Sequence, residues 1–155
     1  MSSPGSSGMI SVGKSLENNN VMVVKHYNST QELNTYSREL MQVFINLLNN
    51  AKEVLVEHNV QERKIVIELQ DTESTIMIKI CDNGGGIEDE IIDKIFEPYF
   101  SKKDAKTGTG LGLYMSKIII EKHLSGTLSA TNKNDGACFI IELPFKSVNK
   151  NVEDK

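Results

Sequence analysis

The spacing of apolar and polar residues along the chain predicts both strands and helices. Apolar residues alternate with polar ones, or cluster in short β-rich runs, in five segments, which indicates strands. Apolar residues recur every three or four positions in three others, which indicates helices. The predicted strands are Val21–Tyr27, Lys64–Leu69, Thr75–Cys81, Gly126–Lys133 and Ala137–Leu143, and the predicted helices are Ser37 to about His58, Glu88–Phe96 and Leu111–His123.

The order of these elements favours one fold class. Short polar connections join the second strand to the third and the fourth to the fifth, which predicts two antiparallel hairpins. Strands and helices do not alternate, so a doubly wound sheet is excluded. We therefore expect an α+β protein with one mixed, mostly antiparallel sheet and helices on one face. The polar residues 10–20 are expected to form a linker or a frayed start.

The long predicted helix carries an unusual polar stripe opposite its apolar arc. At ~100° per residue, five acids and amides fall within roughly 80° of each other on the helix. They are Glu39, Gln42, Asn46, Asn50 and Glu53. A solvated face usually mixes lysines with glutamates, whereas this stripe contains no cation. It could line a site for a cation or a polar ligand, or it could be an ordinary wet face.

Composition restricts the function classes. The chain has 155 residues, 39% of them hydrophobic, and a net charge of −4, which fits one soluble domain and argues against nucleic acid as the main partner. We expect a tag or lead at 1–9, one domain at 10–146 and a charged tail at 147–155. Cys81 and Cys138 do not form a disulfide framework, so we expect reduced thiols and a cytoplasmic location.

Two glycine-rich segments and a lysine cluster are candidates for ligand binding. Asp82–Ile87 (DNGGGI) follows a predicted strand, where glycines let a ligand approach the backbone; a tight turn is the alternative. Gly108–Leu113 (GTGLGL) opens a predicted helix, whose free N–H groups favour phosphate; a glycine hinge is the alternative. Lys102, Lys103 and Lys106 lie just before it and could meet an anion.

Taken together, these segments resemble a known family over about residues 21–145. The resemblance is to the catalytic ATP-binding domain of sensor histidine kinases, in the gyrase, chaperone, kinase and mismatch-repair ATPase superfamily. It implies a two-layer, Bergerat-type ATP-binding fold with about three helices on the sheet. Four motifs occur in the family's order: an N box at Asn46–Ala51, a first glycine box at Asp82–Ile87, an F box at Phe96–Phe100 and a second glycine box at Gly108–Leu113.

The resemblance implies roles for individual residues. Asn50 is expected to ligate Mg²⁺ on the ATP phosphates, and Asp82 to recognise the adenine amine. Asn46 and Lys103 are the catalytic candidates, with Lys103 contacting phosphate from a short lid. The remaining nucleotide-binding candidates are Glu53, Gly84, Gly86, Ile87, Tyr99, Gly108, Thr109, Gly110, Leu111, Gly112 and Leu113.

Two positions differ from many relatives. Hydrolytic members carry a general-base glutamate where this chain has Asn46, and an amide cannot accept a proton from water near neutral pH. Many sensor kinases carry a basic residue where this chain has Glu53, and the acid with a short lid is similar to the nitrogen-regulation and dicarboxylate-sensing subgroup. Glu53 could reach the metal site through water or could simply be solvated.

The resemblance implies transfer of the γ-phosphate of Mg-ATP to a histidine on a separate acceptor domain. None of His26, His58 and His123 is followed by the acidic residue typical of an acceptor histidine, so the acceptor domain and the response regulator are expected to be separate partners. We expect this fragment to be monomeric, and residues 97–109 to form a mobile lid. An ATP-driven clamp of the same superfamily and a nucleotide-binding module without transfer are the alternatives.

Overall fold

A computed structural model describes residues 13–28, 37–72, 74–100, 112–133 and 136–144. Within these ranges the chain forms a short helix α1 (13–18), five strands of one mixed sheet and two further helices. In order these are β1 (Val21–Asn28), α2 (Ser37–Glu57), β2 (Arg63–Asp71), β3 (Thr75–Asp82), α3 (Gly112–Ile118), a π-helical turn (Ile119–His123), β4 (Thr127–Lys133) and β5 (Gly136–Pro144).

The five strands form one sheet in the order β1-β2-β3-β5-β4. Strands β2–β3 and β4–β5 are antiparallel hairpins, and β3 pairs antiparallel with β5. Only β1 and β2 are parallel, because the long helix α2 connects them and returns the chain to the same end of the sheet. The predicted α+β class, with a mixed and mostly antiparallel sheet, is confirmed.

The core lies between one face of this sheet and the helices. Every second residue of β3 is buried, which is the pattern of a strand with one covered face. The apolar arc of α2 packs onto that face, as its spacing predicts. The fully buried side chains include Leu40, Val43, Leu47, Leu55, Ile65, Ile76, Ile78, Ile80, Ile120, Leu128, Ile141 and Leu143.

Helix α1 differs from the linker expected at residues 10–20. Its single large apolar residue, Leu16, is only 5% exposed and belongs to the core cluster. Lys52 of α2 donates to Ser15 Oγ at 2.9 Å, and Arg63 of β2 donates to the Asn19 carbonyl at 2.8 Å. These contacts come from residues far along the chain, so local polarity alone could not predict the helix.

The helix predicted at Glu88–Phe96 is wrong. Residues 89–96 form consecutive turns, most of whose backbone hydrogen bonds span three residues, such as Lys94 N–H to the Ile91 carbonyl at 2.8 Å. This segment places several like charges close together, and its isoleucines lose side-chain freedom in a helix. Of its apolar residues only Ile95 is buried, so packing does not offset these costs.

The expectation of reduced cysteines is also wrong for this structure. Cys81 of β3 and Cys138 of β5 are directly opposite in the sheet and form a disulfide across 57 residues of sequence. The disulfide links the end of β3 covalently to β5, one residue before Asp82. The argument from free thiols for a reducing compartment is thereby removed.

Within the part of the chain that the structure describes, no helix is long and apolar enough to cross a membrane.

Candidate nucleotide-binding site

The polar stripe of α2 meets α3 at Asn46. The Asn46 Nδ2 atom donates to Ser116 Oγ at 3.2 Å, and Gln42 Nε2 donates to Asn46 Oδ1 at 3.3 Å. Ser116 is fully buried, at 0% exposure, so its hydroxyl is a fixed partner. The contact joins residues 70 apart in the sequence, and it orients the Asn46 amide at the junction of the N box helix and the second glycine box helix.

Asn50 and Glu53 follow Asn46 along the same stripe, and both are half-buried. No other residue in the described ranges hydrogen-bonds the Asn50 amide. Amide oxygens suit a hard cation such as Mg²⁺, so the Asn50 side chain has the chemistry of a ligand for this ion. One protein ligand is sufficient for Mg²⁺ when phosphates and waters complete the octahedron. The residues present fit this ion.

Asp82 ends β3 beside the helices and is 9% exposed. Its Oδ1 atom accepts the Gly84 N–H at 2.9 Å, which fixes the plane of the carboxylate. Gly85 and Gly86 then adopt φ of 104° and 84°, conformations that favour glycine. A Cβ on Gly84 would lie 2.6 Å from Val54 Cγ1, so the turn packs directly against α2.

Two side chains hold the start of this glycine turn. Asn83 Nδ2 donates to the Glu62 carbonyl at 2.7 Å, and its Oδ1 accepts the Lys64 N–H at 2.9 Å. His58 Nδ1 donates to the Gly84 carbonyl at 2.5 Å, which requires the proton on that nitrogen. The turn is therefore attached to the beginning of β2 and to the end of α2.

The F box packs beneath α3. The Phe96 ring lies edge-on to Phe139 of β5, with centroids 6.1 Å apart, and Lys117 Nζ lies 4.9 Å from the Phe96 centroid. Phe100 is partly buried against the core. Tyr99, a predicted nucleotide contact, is 73% exposed and has a φ of 64°, and its contact to nucleotide stays a prediction.

The second glycine box is described only at its end. Gly112 begins α3 with open space around it, and Leu113 is partly buried against the core. Lys103, Gly108, Thr109, Gly110 and Leu111 lie outside the described residues, as does most of the lid predicted at 97–109. Their predicted contacts to phosphate stay predictions.

A charged network attaches the helical layer to β4. Lys117 Nζ donates to Glu121 Oε2 and to the Leu128 carbonyl, both at 3.0 Å, and the Leu128 N–H donates to Glu121 at 3.3 Å. Burial raises the pKa of Glu121. Its hydrogen bonds to Lys117 and Leu128, with the charges of Lys117 and Lys122, outweigh burial, so the pKa is below its ordinary value.

We expect Glu121→Gln to lower the free energy of unfolding at pH 7 by up to about 1 kcal/mol, because the carboxylate is a third exposed and partly screened. A carboxylate whose pKa is lower in the folded protein than in the unfolded chain stabilises the fold at pH values above the unfolded pKa. This stabilisation is lost as the pH falls through the folded pKa. The difference in the free energy of unfolding between Glu121→Gln and wild type should therefore become smaller below about pH 4.3. Urea unfolding at pH 7 and pH 3 measures it, with the exposed Glu90→Gln as control. A difference that grows in acid would contradict this assignment.

A family model matches residues 35–147, and it is described as "Histidine kinase-, DNA gyrase B-, and HSP90-like ATPase". The match includes α2, both hairpins and every motif named above. The chain belongs to this family. The prediction of an ATP-binding domain of this superfamily is confirmed.

The curated relatives are bacterial sensors. Two-component sensor PprA of Pseudomonas aeruginosa is 38% identical over 110 residues, which cover 69% of this chain and 12% of PprA. Sensor protein FixL of Bradyrhizobium diazoefficiens is 33% identical over 112 residues, which cover 72% of this chain and 21% of FixL. The chain therefore spans about an eighth to a fifth of the length of these relatives.

Solved structures agree with the fold of this ATPase domain. The nucleotide-free catalytic domain of histidine kinase ThkA aligns with a TM-score of 0.73 and 27% identity, over 90% of this chain and 89% of that one. ThkA in complex with the response regulator protein TrrA aligns with a TM-score of 0.69 and 25% identity, over 89% of this chain and 38% of that one. The predicted likeness to a histidine kinase catalytic domain is confirmed.

Sequence reasoning missed the contacts that four residues make around the candidate site of this domain. Ser116 orients Asn46, His58 and Asn83 hold the glycine turn, and Asn132 of β4 contacts that turn from the other side. Of the four, Asn132 is the residue that the sequence could have indicated, since asparagine is depleted in strands and its presence there suggests a specific contact. The other three have ordinary residue types for their positions.

Proposed function

We propose that this domain binds Mg-ATP and donates the γ-phosphate to a histidine on a separate acceptor domain of the same parent protein. The domain's family is one of ATPases, and its curated relatives include a two-component sensor, PprA, and a sensor protein, FixL. ThkA, which has the same fold, forms a complex with a response regulator. By analogy we infer a response regulator downstream of this chain.

The observation that carries the proposal is the environment of Asn46. Its Nδ2 donates to the Ser116 hydroxyl and its Oδ1 accepts from the Gln42 amide, and a carboxamide is too weak a base to remove a proton from water. Hydrolytic members of the superfamily carry a general-base glutamate at this position, whereas a histidine acceptor is itself the nucleophile in transfer. An oriented amide here therefore favours transfer over hydrolysis.

We assign the nucleotide to the space bounded by α2, the glycine turn and the start of α3. Asp82 accepts a hydrogen bond from the adenine amine, while Gly84, Gly86 and Ile87 shape the base pocket. The amide of Asn50 would hold Mg²⁺, and the chemistry this ion would supply there is neutralisation of charge on the phosphates. Lys103 and residues 108–112 contact the phosphates in this proposal.

The assembly and location of the protein complete the proposal. The domain acts as a monomer on an acceptor domain, in the cytoplasm where ATP is supplied. The acidic net charge of −4 supports a protein partner in preference to nucleic acid.

Transfer from γ-labelled ATP to a purified acceptor domain of the parent protein tests this function. We expect label on the acceptor histidine and little free phosphate. Steady hydrolysis by the isolated chain that Asn46→Ala abolishes would instead support the ATP-driven clamp. ATP binding without transfer to a cognate acceptor would support a nucleotide-binding module.

We expect Asn50→Ala to weaken ATP binding about 10-fold or more in the presence of Mg²⁺, because the metal loses its protein ligand. Binding in EDTA should change little. Titration with a fluorescent ATP analogue under both conditions measures the effect, and Asn18→Ala, an exposed asparagine of α1, is the matched control. An unchanged dissociation constant with Mg²⁺ would remove Asn50 as the ligand.

A further inference from the structure

The side chain of Asn132 bonds both backbone groups of Ile87. Its Oδ1 accepts the Ile87 N–H at 2.7 Å, and its Nδ2 donates to the Ile87 carbonyl at 2.7 Å. Asn132 lies on the edge strand β4, 45 residues away from Ile87 in the sequence. Both bonds are short, and together they use the donor and the acceptor of one amide.

The contact between the Asn132 side chain and the Ile87 backbone takes the place of strand pairing beyond the end of β3. Chain residues 84–87 have left β3, so their backbone groups have no ladder partner on that side. An asparagine amide offers the same donor and acceptor pair as a peptide group, and Asn132 therefore acts as a one-residue extension of β4. The bonds involve no formal charge, so they are insensitive to screening by salt.

The glycine turn is shaped to accept this side chain. A Cβ on Gly86 would lie 2.9 Å from Asn132 Oδ1 and 3.3 Å from its Cγ. Gly86 also has a φ of 84°, which a larger residue adopts only with strain. Two independent features of Gly86, its backbone conformation and its close approach, thus fit the position of Asn132.

The other contacts hold the beginning of the turn but not its end. Asn83 attaches it to β2, and His58 attaches Gly84 to α2. Among the described residues, Asn132 is the side chain that hydrogen-bonds the Ile87 backbone, while the Ile87 side chain packs partly against the core. Without Asn132, the segment from Gly85 to Ile87 keeps its glycine freedom and loses both backbone hydrogen bonds at its far end.

We infer that Asn132 is a positioning residue for the adenine side of the nucleotide site. It holds Ile87, and through Ile87 it sets the shape of the glycine turn next to Asp82. This inference rests on the proposed function, since it assigns the turn to ATP. It adds a residue from β4, outside all four sequence motifs, to the determinants of nucleotide affinity.

Substitution of Asn132 tests the inference. Asn132→Ala removes both bonds and should weaken ATP binding about 5- to 30-fold, while Asn132→Asp keeps only the acceptor and also places a carboxylate against the Ile87 carbonyl. We expect the KM for ATP to rise, with kcat at saturating ATP within about twofold of wild type, because the turn still forms when ATP fills the site. Ser129→Ala, an exposed residue of the same strand, is the matched control.

Amide exchange distinguishes positioning from general stability. In Asn132→Ala the Ile87 N–H should exchange at least about 10-fold faster, while amides in β2 and β3 keep their wild-type rates. If the Ile87 amide exchanges faster but ATP affinity is unchanged, the positioning role is wrong. An Asn132→Ala protein that loses protection throughout the sheet would also overturn it, if Asn132→Asp folds and binds ATP normally.

The wild-type protein separates this inference from the proposed function. If wild type binds no ATP, the proposed function fails and the positioning role fails with it. If wild type binds ATP and transfers phosphate while both Asn132 variants bind equally well, only the positioning role is overturned.

Discussion

Gly136→Ala is expected to lower the free energy of unfolding by about 3 kcal/mol and to weaken ATP binding about 100-fold. Gly136 begins β5, and a Cβ there would lie 1.6 Å from the Asp82 carbonyl oxygen, 2.6 Å from its carbon and 3.0 Å from the Asn83 Cα. All three are backbone atoms, which cannot rotate away. The end of β3 must therefore move, and Asp82 moves with it.

A second glycine separates lost stability from lost binding. A Cβ on Gly126 would lie 2.1 Å from the Glu142 carbonyl oxygen, at the far end of the same hairpin. Gly126→Ala should therefore destabilise the protein but leave ATP affinity unchanged below its unfolding temperature. Gly13→Ala, with open space around the position, should change neither the stability nor the ATP affinity. Denaturant unfolding and nucleotide titration of the three variants give the comparison, and a Gly136→Ala protein that binds ATP like Gly126→Ala would contradict the expected movement of Asp82.

Asp82→Asn is expected to weaken ATP binding about 10- to 100-fold, because a charge-assisted hydrogen bond to the adenine amine becomes a neutral one at best. The turn itself should survive, since an asparagine oxygen can still accept the Gly84 N–H. The new amide can also donate to a carbonyl, which guanine offers where adenine has its amine. The ratio of ATP affinity to GTP affinity should therefore fall. The fold-change in this ratio should exceed the fold-change in GTP affinity itself.

Titrations of ATP and GTP, with the thermal midpoint of each variant, measure this effect. Asp93→Asn changes an exposed aspartate in the turns after the glycine box and is the matched control. ATP and GTP affinities that both equal those of wild type would remove Asp82 as the adenine contact. A large fall in the thermal midpoint would instead assign the carboxylate a role in folding.

Much of the secondary structure follows from local periodicity. Alternation in Thr75–Cys81 predicts a strand, and the apolar arc from Ser37 to about His58 predicts a helix packed on the sheet. Both are confirmed, because the period of a side-chain pattern depends only on backbone geometry. The same approach fails at residues 88–96, where the amphipathic pattern is present but like charges and poor burial prevent the helix.

The motifs of the site are visible in the sequence, and the family they indicate is confirmed. The roles given to Asn50, Asp82 and Lys103 stay predictions until nucleotide binding is measured. The chemistry of these residue types can be stated from the sequence, since an amide or a carboxylate has the same donors and acceptors in any fold. The contacts that each side chain makes depend on the tertiary structure.

Contacts between distant segments were decided only by the tertiary structure. The Asn46–Ser116 bond, the Cys81–Cys138 disulfide and the attachment of Ile87 by Asn132 join residues 70, 57 and 45 positions apart. The Asn46–Ser116 bond depends on how the two helices pack, whereas the disulfide and the Asn132 contact depend on strand order and register, since a shift of one residue would turn these strand side chains to the opposite face. By itself the sequence determined the elements, the motifs and their chemistry, because those depend on neighbours along the chain. The partners that orient the motifs depend on neighbours in space.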